Sequence, residues 1–175
     1  FGIPFEVAVI TNVTHEHLDW HKTFENYLRT KFMLLEKARS AVVNRDEPVI
    51  YNRAISILQN KRLMTYGIHH DATITPKNYH FHTRLLGEYN LYNCLAALST
   101  AEVLGVSRKV ASKAVSEFSG LVGRMEILKQ TPYTVIVDFA HTPNAIEKVL
   151  KTMRGLAKRR LIHIFGSAGL RDNTK

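Results

Sequence analysis

Short apolar runs alternating with helical patterns limit the folds open to this chain more than any other feature. Phe5–Ile10 reads as a buried strand, Ser40–Asn44, centred on Val42 and Val43, as a second, and Lys61–Tyr66 as a third. Between them lie helical patterns from Phe24 to about Ala38 and from Val49 to Leu58. A strand covered on both faces is apolar along its whole length, and strands separated by helix-sized segments need crossover connections. The alternation therefore predicts an α/β fold with a mostly parallel sheet.

The pattern changes after Tyr66. Thr73 to Leu86 suggests a hairpin around Pro76-Lys77-Asn78, with Tyr79 and Phe81 on one face and His80 and His82 on the other. A helix is expected from about Leu91 to Leu104, stopped by Gly105, and another after Ser107, a good N-cap. Gly120 and Gly123 break the pattern, which restarts with strands at Met125–Leu128 and Tyr133–Asp138. We place a domain boundary there, with residues 1–122 before it and 123–175 after it. Thr142-Pro143 supplies an N-cap and a first-turn proline for a helix from about Asn144 to Lys158, and Leu161–Phe165 reads as a further strand.

Of the 175 residues, 45% are hydrophobic and 22% charged, enough for one domain or two small ones. No apolar run approaches a membrane span and no signal peptide opens the chain, so a cytoplasmic protein is expected. Cys94, the only cysteine, lies in an apolar helical pattern and suits a core position. The net charge of +9 favours polyanionic partners, but its lysines and arginines are scattered, without a basic stripe interleaved with aromatics that would point to nucleic acid. Phe1 at the start and the unpatterned Asn173-Thr174-Lys175 at the end suggest an internal fragment.

Chemistry concentrates at element ends. His15, Glu16, His17, Asp19 and His21 crowd together directly after the first strand, a density that invites a metal, although a chance cluster of surface histidines has the same look. Lys31 is flanked at helical spacing by Tyr27, Leu28, Leu34 and Leu35; its ammonium either snorkels to the surface or is partly desolvated, which favours the neutral, nucleophilic amine. Gly87-Glu88-Tyr89-Asn90, Gly123-Arg124-Met125-Glu126 and Asp138-Phe139-Ala140-His141 stand at strand or helix ends, where open α/β sheets bind phosphorylated ligands. Together they suggest a nucleotide held between two domains, with Asn90 reading the base, Arg124 meeting phosphate and Asp138 accepting ribose hydroxyls.

These residues resemble the Mur ligases, and most closely their MurE type. Thr11-Asn12-Val13-Thr14, His17-Leu18-Asp19, His21, Tyr27 and Lys31 are similar to the family's central-domain segment, in which the histidine binds magnesium and a carbamylated lysine helps hold the ion. The resemblance carries those roles onto His17 and Lys31. It likewise carries adenine contact onto Asn90, the interdomain arginine onto Arg124, and ATP orientation onto Asp138 and His141, the latter pair within Val137–Pro143. Gly166-Ser167-Ala168-Gly169-Leu170-Arg171-Asp172 is similar to the family loop whose arginine holds the incoming amino acid, a role that falls to Arg171; Leu170 and Ala168 depart from that loop's pattern.

The resemblance implies a partial central ATPase domain followed by the start of a Rossmann-like C-terminal domain. It implies ATP and Mg2+ as cofactors, UDP-N-acetylmuramoyl-dipeptide and a free, diamino acid as substrates, and a monomer without membrane or nucleic-acid partners. A phosphate loop of the form G-x-x-x-x-G-K-[ST] occurs nowhere in the 175 residues, and the family places it upstream of Phe1. Related alternatives are cyanophycin synthetase and folylpolyglutamate synthase. From another class, a metallo-β-lactamase-type zinc hydrolase is suggested by His15, His17, Asp19 and His21, but Trp20 separates two residues that its motif needs adjacent.

Overall fold

The computed structural model describes residues 2–14 and 18–166. The described residues of Phe1–Thr83 and Tyr92–Glu117 form one compact unit, and those of Arg84–Leu91 and Phe118–Lys175 a second.

In the first unit β1 (Val7–Ile10), β2 (Ser40–Asn44) and β3 (Arg62–Tyr66) form a parallel sheet in the order β1-β2-β3. Val7 lies opposite Ser40 and Ser40 opposite Arg62. Every residue of β2 is buried, as a central strand requires. Its side chains alternate between two cores. Ala41 and Val43 join Leu28, Phe32 and Leu35 of α2 (Phe24–Lys37) and Ile50 and Ala54 of α3 (Pro48–Ile57). Val42 joins Leu95 and Leu98 of α4 (Glu88–Val103) and Ala111 of α5 (Arg108–Glu117). Helices thus cover both faces, and the period-two pleat sorts one run of apolar residues into two layers. A single turn, α1 (Leu18–His21), precedes α2.

Local chemistry sets the helix limits. Thr23 caps α2 by accepting from the Asn26 N–H at 3.2 Å. At the other end the Lys61 ammonium donates to the carbonyls of Leu35, Glu36 and Ala38, satisfying acceptors that a helix terminus leaves open. α4 begins at Glu88, three residues before the expected start, while Gly105, at φ 78°, follows its end. Ser107 caps α5 through the Val110 N–H.

The expected hairpin does not form. Pro76-Lys77-Asn78 does turn, and Tyr79 is buried while His80 and His82 are exposed, but the flanks do not pair as strands. Asn78 and Tyr79 donate to the Thr75 carbonyl, while Arg108 and Ser112 of α5 donate to the carbonyls of Asn78 and His80. Side chains from a helix take the place of a ladder.

In the second unit β4 (Glu126–Lys129) and β5 (Val135–Val137) pair antiparallel, with an irregularity between Ile127 and Lys129. α6 (Pro143–Leu156) follows, capped by Thr142. The strand expected at Leu161–Phe165 is not present. A strand needs a partner for its ladder, and among the described residues none lies beside this segment, whose Ile164 is 91% exposed.

Candidate functional site

The C-terminal ends of parallel strands are where α/β sheets bind ligands. At the end of β1, Thr11 and Asn12 with Thr30, Lys31 and Leu34 of α2 line a cleft of about 350 Å³. Lys31 is exposed, with its ammonium 5.3 Å from the centre of the Tyr27 ring. The desolvation read from its apolar neighbours is therefore corrected. At about 100° per residue Lys31 falls between Tyr27 and Leu35, both buried, so its long side chain carries the ammonium past the apolar stripe to solvent. Tyr27 also stacks obliquely on the His21 ring at 5.1 Å. His15 and His17 lie outside the described residues, and among the described ones no group of three or more His, Cys, Asp or Glu could hold a metal. The donors beside Lys31 are a carboxamide and hydroxyls, the hard oxygens that magnesium takes.

α4 opens at Gly87, whose φ of 93° favours glycine; a Cβ there would meet the Tyr89 ring at 2.7 Å and the Thr152 hydroxyl at 2.9 Å. The Asn90 carboxamide donates to the Leu86 carbonyl at 2.8 Å, which fixes the plane of the amide. Beside it the Tyr89 hydroxyl is buried without a hydrogen-bond partner among the described residues, and burial, with a smaller contribution from the Asp138 charge, pushes its phenol up to about 12.

Arg124, Asp138 and His141 come together around Phe139. The Arg124 guanidinium lies over the Phe139 ring at 4.4 Å, and the His141 ring meets the same ring edge-on at 5.0 Å. The Asp138 carboxylate accepts from the Met125 N–H at 2.8 Å and the Ala140 N–H at 2.7 Å. Met125 sits at φ 51°, a strained conformation for a long side chain, and its bond to Asp138 ties β4 to β5 beside Arg124. Phe139 is thus the platform that two predicted site residues share, and its spacing in Asp138–His141 was the available signal. Arg171 lies outside the described residues.

Asp46 is a polar centre that sequence reasoning missed. Its side chain, 6% exposed, accepts from the N–H groups of Ile68, His69 and His70 at 2.6, 3.0 and 2.9 Å. It also meets His70 Nδ1 at 2.7 Å and the Tyr92 hydroxyl at 2.8 Å. Burial alone would raise its carboxyl, but the N–H groups of His69 and Ile68 and the side chains of His70 and Tyr92 outweigh it and hold the group well below the usual carboxylate range. The available signal was an aspartate two residues past a fully buried strand.

No helix among the described residues is long and apolar enough to cross a membrane. Residues 1–101 match the family model described as the Mur ligase middle domain, and residues 123–175 match that of the Mur ligase glutamate ligase domain. The chain is 35% identical to the UDP-N-acetylmuramoyl-L-alanyl-D-glutamate–2,6-diaminopimelate ligase of Clostridium botulinum, a match that takes in 100% of this chain and 40% of the relative. The chain thus spans about two fifths of that relative's length. A solved structure of a UDP-N-acetylmuramoyl-L-alanyl-D-glutamate–2,6-diaminopimelate ligase superposes with a TM-score of 0.70 at 28% identity, covering 95% of this chain and 39% of the other. A MurF from Acinetobacter baumannii superposes with a TM-score of 0.74 at 18% identity, covering 85% and 37%, a likeness of fold alone. With both family models in chain order and the sheet and the Phe139 platform falling within the segments they match, the chain belongs to the Mur ligase family.

Proposed function

We propose that this chain is the working middle of a ligase that joins an amino acid, a diamino acid such as diaminopimelate, to UDP-N-acetylmuramoyl-L-alanyl-D-glutamate in peptidoglycan precursor synthesis, in the cytoplasm. The match of the whole chain to a diaminopimelate ligase carries this reading. Residues 1–122 would be the end of the central ATP-binding domain and residues 123–175 the start of the C-terminal domain.

In the reaction, a substrate carboxylate takes the γ-phosphoryl of ATP, releasing ADP; the amine then attacks the acyl phosphate, expelling phosphate and forming the amide with loss of a proton. The barrier is largely electrostatic, because anions must approach one another. Arg124, held over Phe139, would face phosphate; Asp138 and His141 would orient the nucleotide, and Asn90 would read its base. Arg171 would hold the incoming amino acid. His17 and a carbamylated Lys31 would hold magnesium, which when bound neutralises phosphate charge. Because Lys31 is exposed, capture of the carbamate by the oxygen-rich cleft and the ion, rather than a dry setting, would favour the modified lysine.

The test is phosphate release by the full-length parent given ATP, UDP-N-acetylmuramoyl-dipeptide and diaminopimelate. Activity should require all three, and Arg124→Ala should raise the KM for ATP and lower turnover by about tenfold or more, in line with losing a charged hydrogen bond to phosphate. Unchanged constants for that variant, or equal turnover without the UDP-peptide, would overturn the assignment.

A further inference from the structure

The described arginines differ in their partners, and what sets two of the unpaired ones apart is a shared cleft. Arg39, Arg53 and Arg108 pair with Glu6, Glu25 and Glu102, and Arg45 lies on the Tyr51 ring at 3.9 Å. Arg84 and Arg124, both exposed, have no carboxylate partner among the described residues. Both line the same cleft of about 350 Å³ in the second unit. Two like charges on one concavity repel each other, and apolar walls such as Leu85 and Leu121 strengthen that repulsion by displacing water. The one carboxylate in the lining, Glu126, accepts from the Gly123 N–H at 2.7 Å. An anion entering the cleft relieves the repulsion and finds two planar donor forks.

We propose that Arg84 is a second anion-binding residue of this cleft, acting with Arg124 on a phosphate chain. The proposal rests on reading Arg124 as a phosphate partner and adds a residue to that site. The cleft is small for a whole UDP-peptide and suits one multiply charged group. Arg124 is pre-organised by Phe139, whereas Arg84 sits in irregular chain just before Gly87 and supplies an adaptable second fork.

The test uses the 175-residue chain, with inorganic tripolyphosphate and ATP titrated while amide and arginine Nε resonances are followed by NMR. Tripolyphosphate should shift Arg84 and Arg124 together. Arg84→Gln and Arg124→Gln should each weaken binding by about tenfold, the effect of losing a charge-assisted contact, with Arg84→Lys in between. Spectra of the exposed-site variants without ligand should match the parent chain, which separates lost binding from lost folding. If Arg124→Gln weakens binding and Arg84→Gln leaves it within twofold, the role of Arg84 is overturned while that of Arg124 stands. If the wild-type chain shows no saturable response to tripolyphosphate, both fall. Equal affinity for a tricarboxylate at the same charge would overturn the phosphate preference.

Discussion

Replacing Asp46 by asparagine tests how much of the first unit hangs on one carboxylate. Oδ2 accepts from Ile68, His69 and Tyr92, while Oδ1 accepts from the N–H of His70 and meets its ring. Asparagine keeps one oxygen and presents an amide where the other stood, so whichever way it turns it leaves at least one backbone N–H facing a donor. A donor left unsatisfied costs about 1–3 kcal/mol, so Asp46→Asn should destabilise by about 1–3 kcal/mol. That is a large share of the roughly 5–15 kcal/mol that holds a domain together. Urea unfolding of the 175-residue chain followed by circular dichroism would measure it. The pH dependence carries a sign. Because the folded carboxyl lies below its unfolded value, its stabilisation is complete above the ordinary carboxylate range near pH 4 and is lost as pH falls below that range. The gap between wild type and variant should therefore be full at pH 7 and shrink toward pH 2. A gap under about 0.5 kcal/mol at pH 7, or one that does not change with acid, would refute the account, because neither fits a buried anion held by donors.

Three further outcomes follow from the same geometry. Gly87→Ala should lower the melting temperature, since both its φ of 93° and the approach of Tyr89 and Thr152 exclude a methyl group; an unchanged melting temperature would mean the turn relaxes freely. The isolated chain should bind ATP far more weakly than micromolar and show no ligase activity, because phosphate-cradling loops supply much of nucleotide affinity and none occurs in these residues; calorimetry showing sub-micromolar affinity would contradict this. In the full-length parent, Lys31→Ala should abolish most acyl-phosphate formation without unfolding the protein, and a short carboxylate added to the assay should restore part of it; near-normal turnover would remove Lys31 from the site.

Much of the fold could be read from local pattern. The apolar run of β2 announced a strand, and Ser107 and Thr142 announced two helix starts, because caps act through bonds within a few residues. What escaped depended on distant partners. Leu161–Phe165 has strand composition but no neighbour to complete a ladder, and Thr73–Leu86 has hairpin composition but is satisfied by α5. Lys31 could be read as snorkelling or desolvated because spacing along a helix does not fix how far a long side chain reaches. Arg124 and His141 were expected near each other from motif, whereas their packing on one ring needed coordinates. Arg84 carried no signal at all, since its significance lies in a companion remote in sequence.

The bonds from Lys61 to the end of α2 also set an order of events during synthesis. The carbonyls of Leu35, Glu36 and Ala38 lack helical partners, and the ammonium that satisfies them arrives only after β2 and α3 have been made. Until the ribosome has released that lysine, the last turn of α2 is free to fray into water. Lys61 immediately precedes β3, so the residue that closes the helix emerges together with the strand that pairs with β2. The nascent chain therefore cannot finish α2 before it can also add β3 to the sheet, and the two mature as a single step.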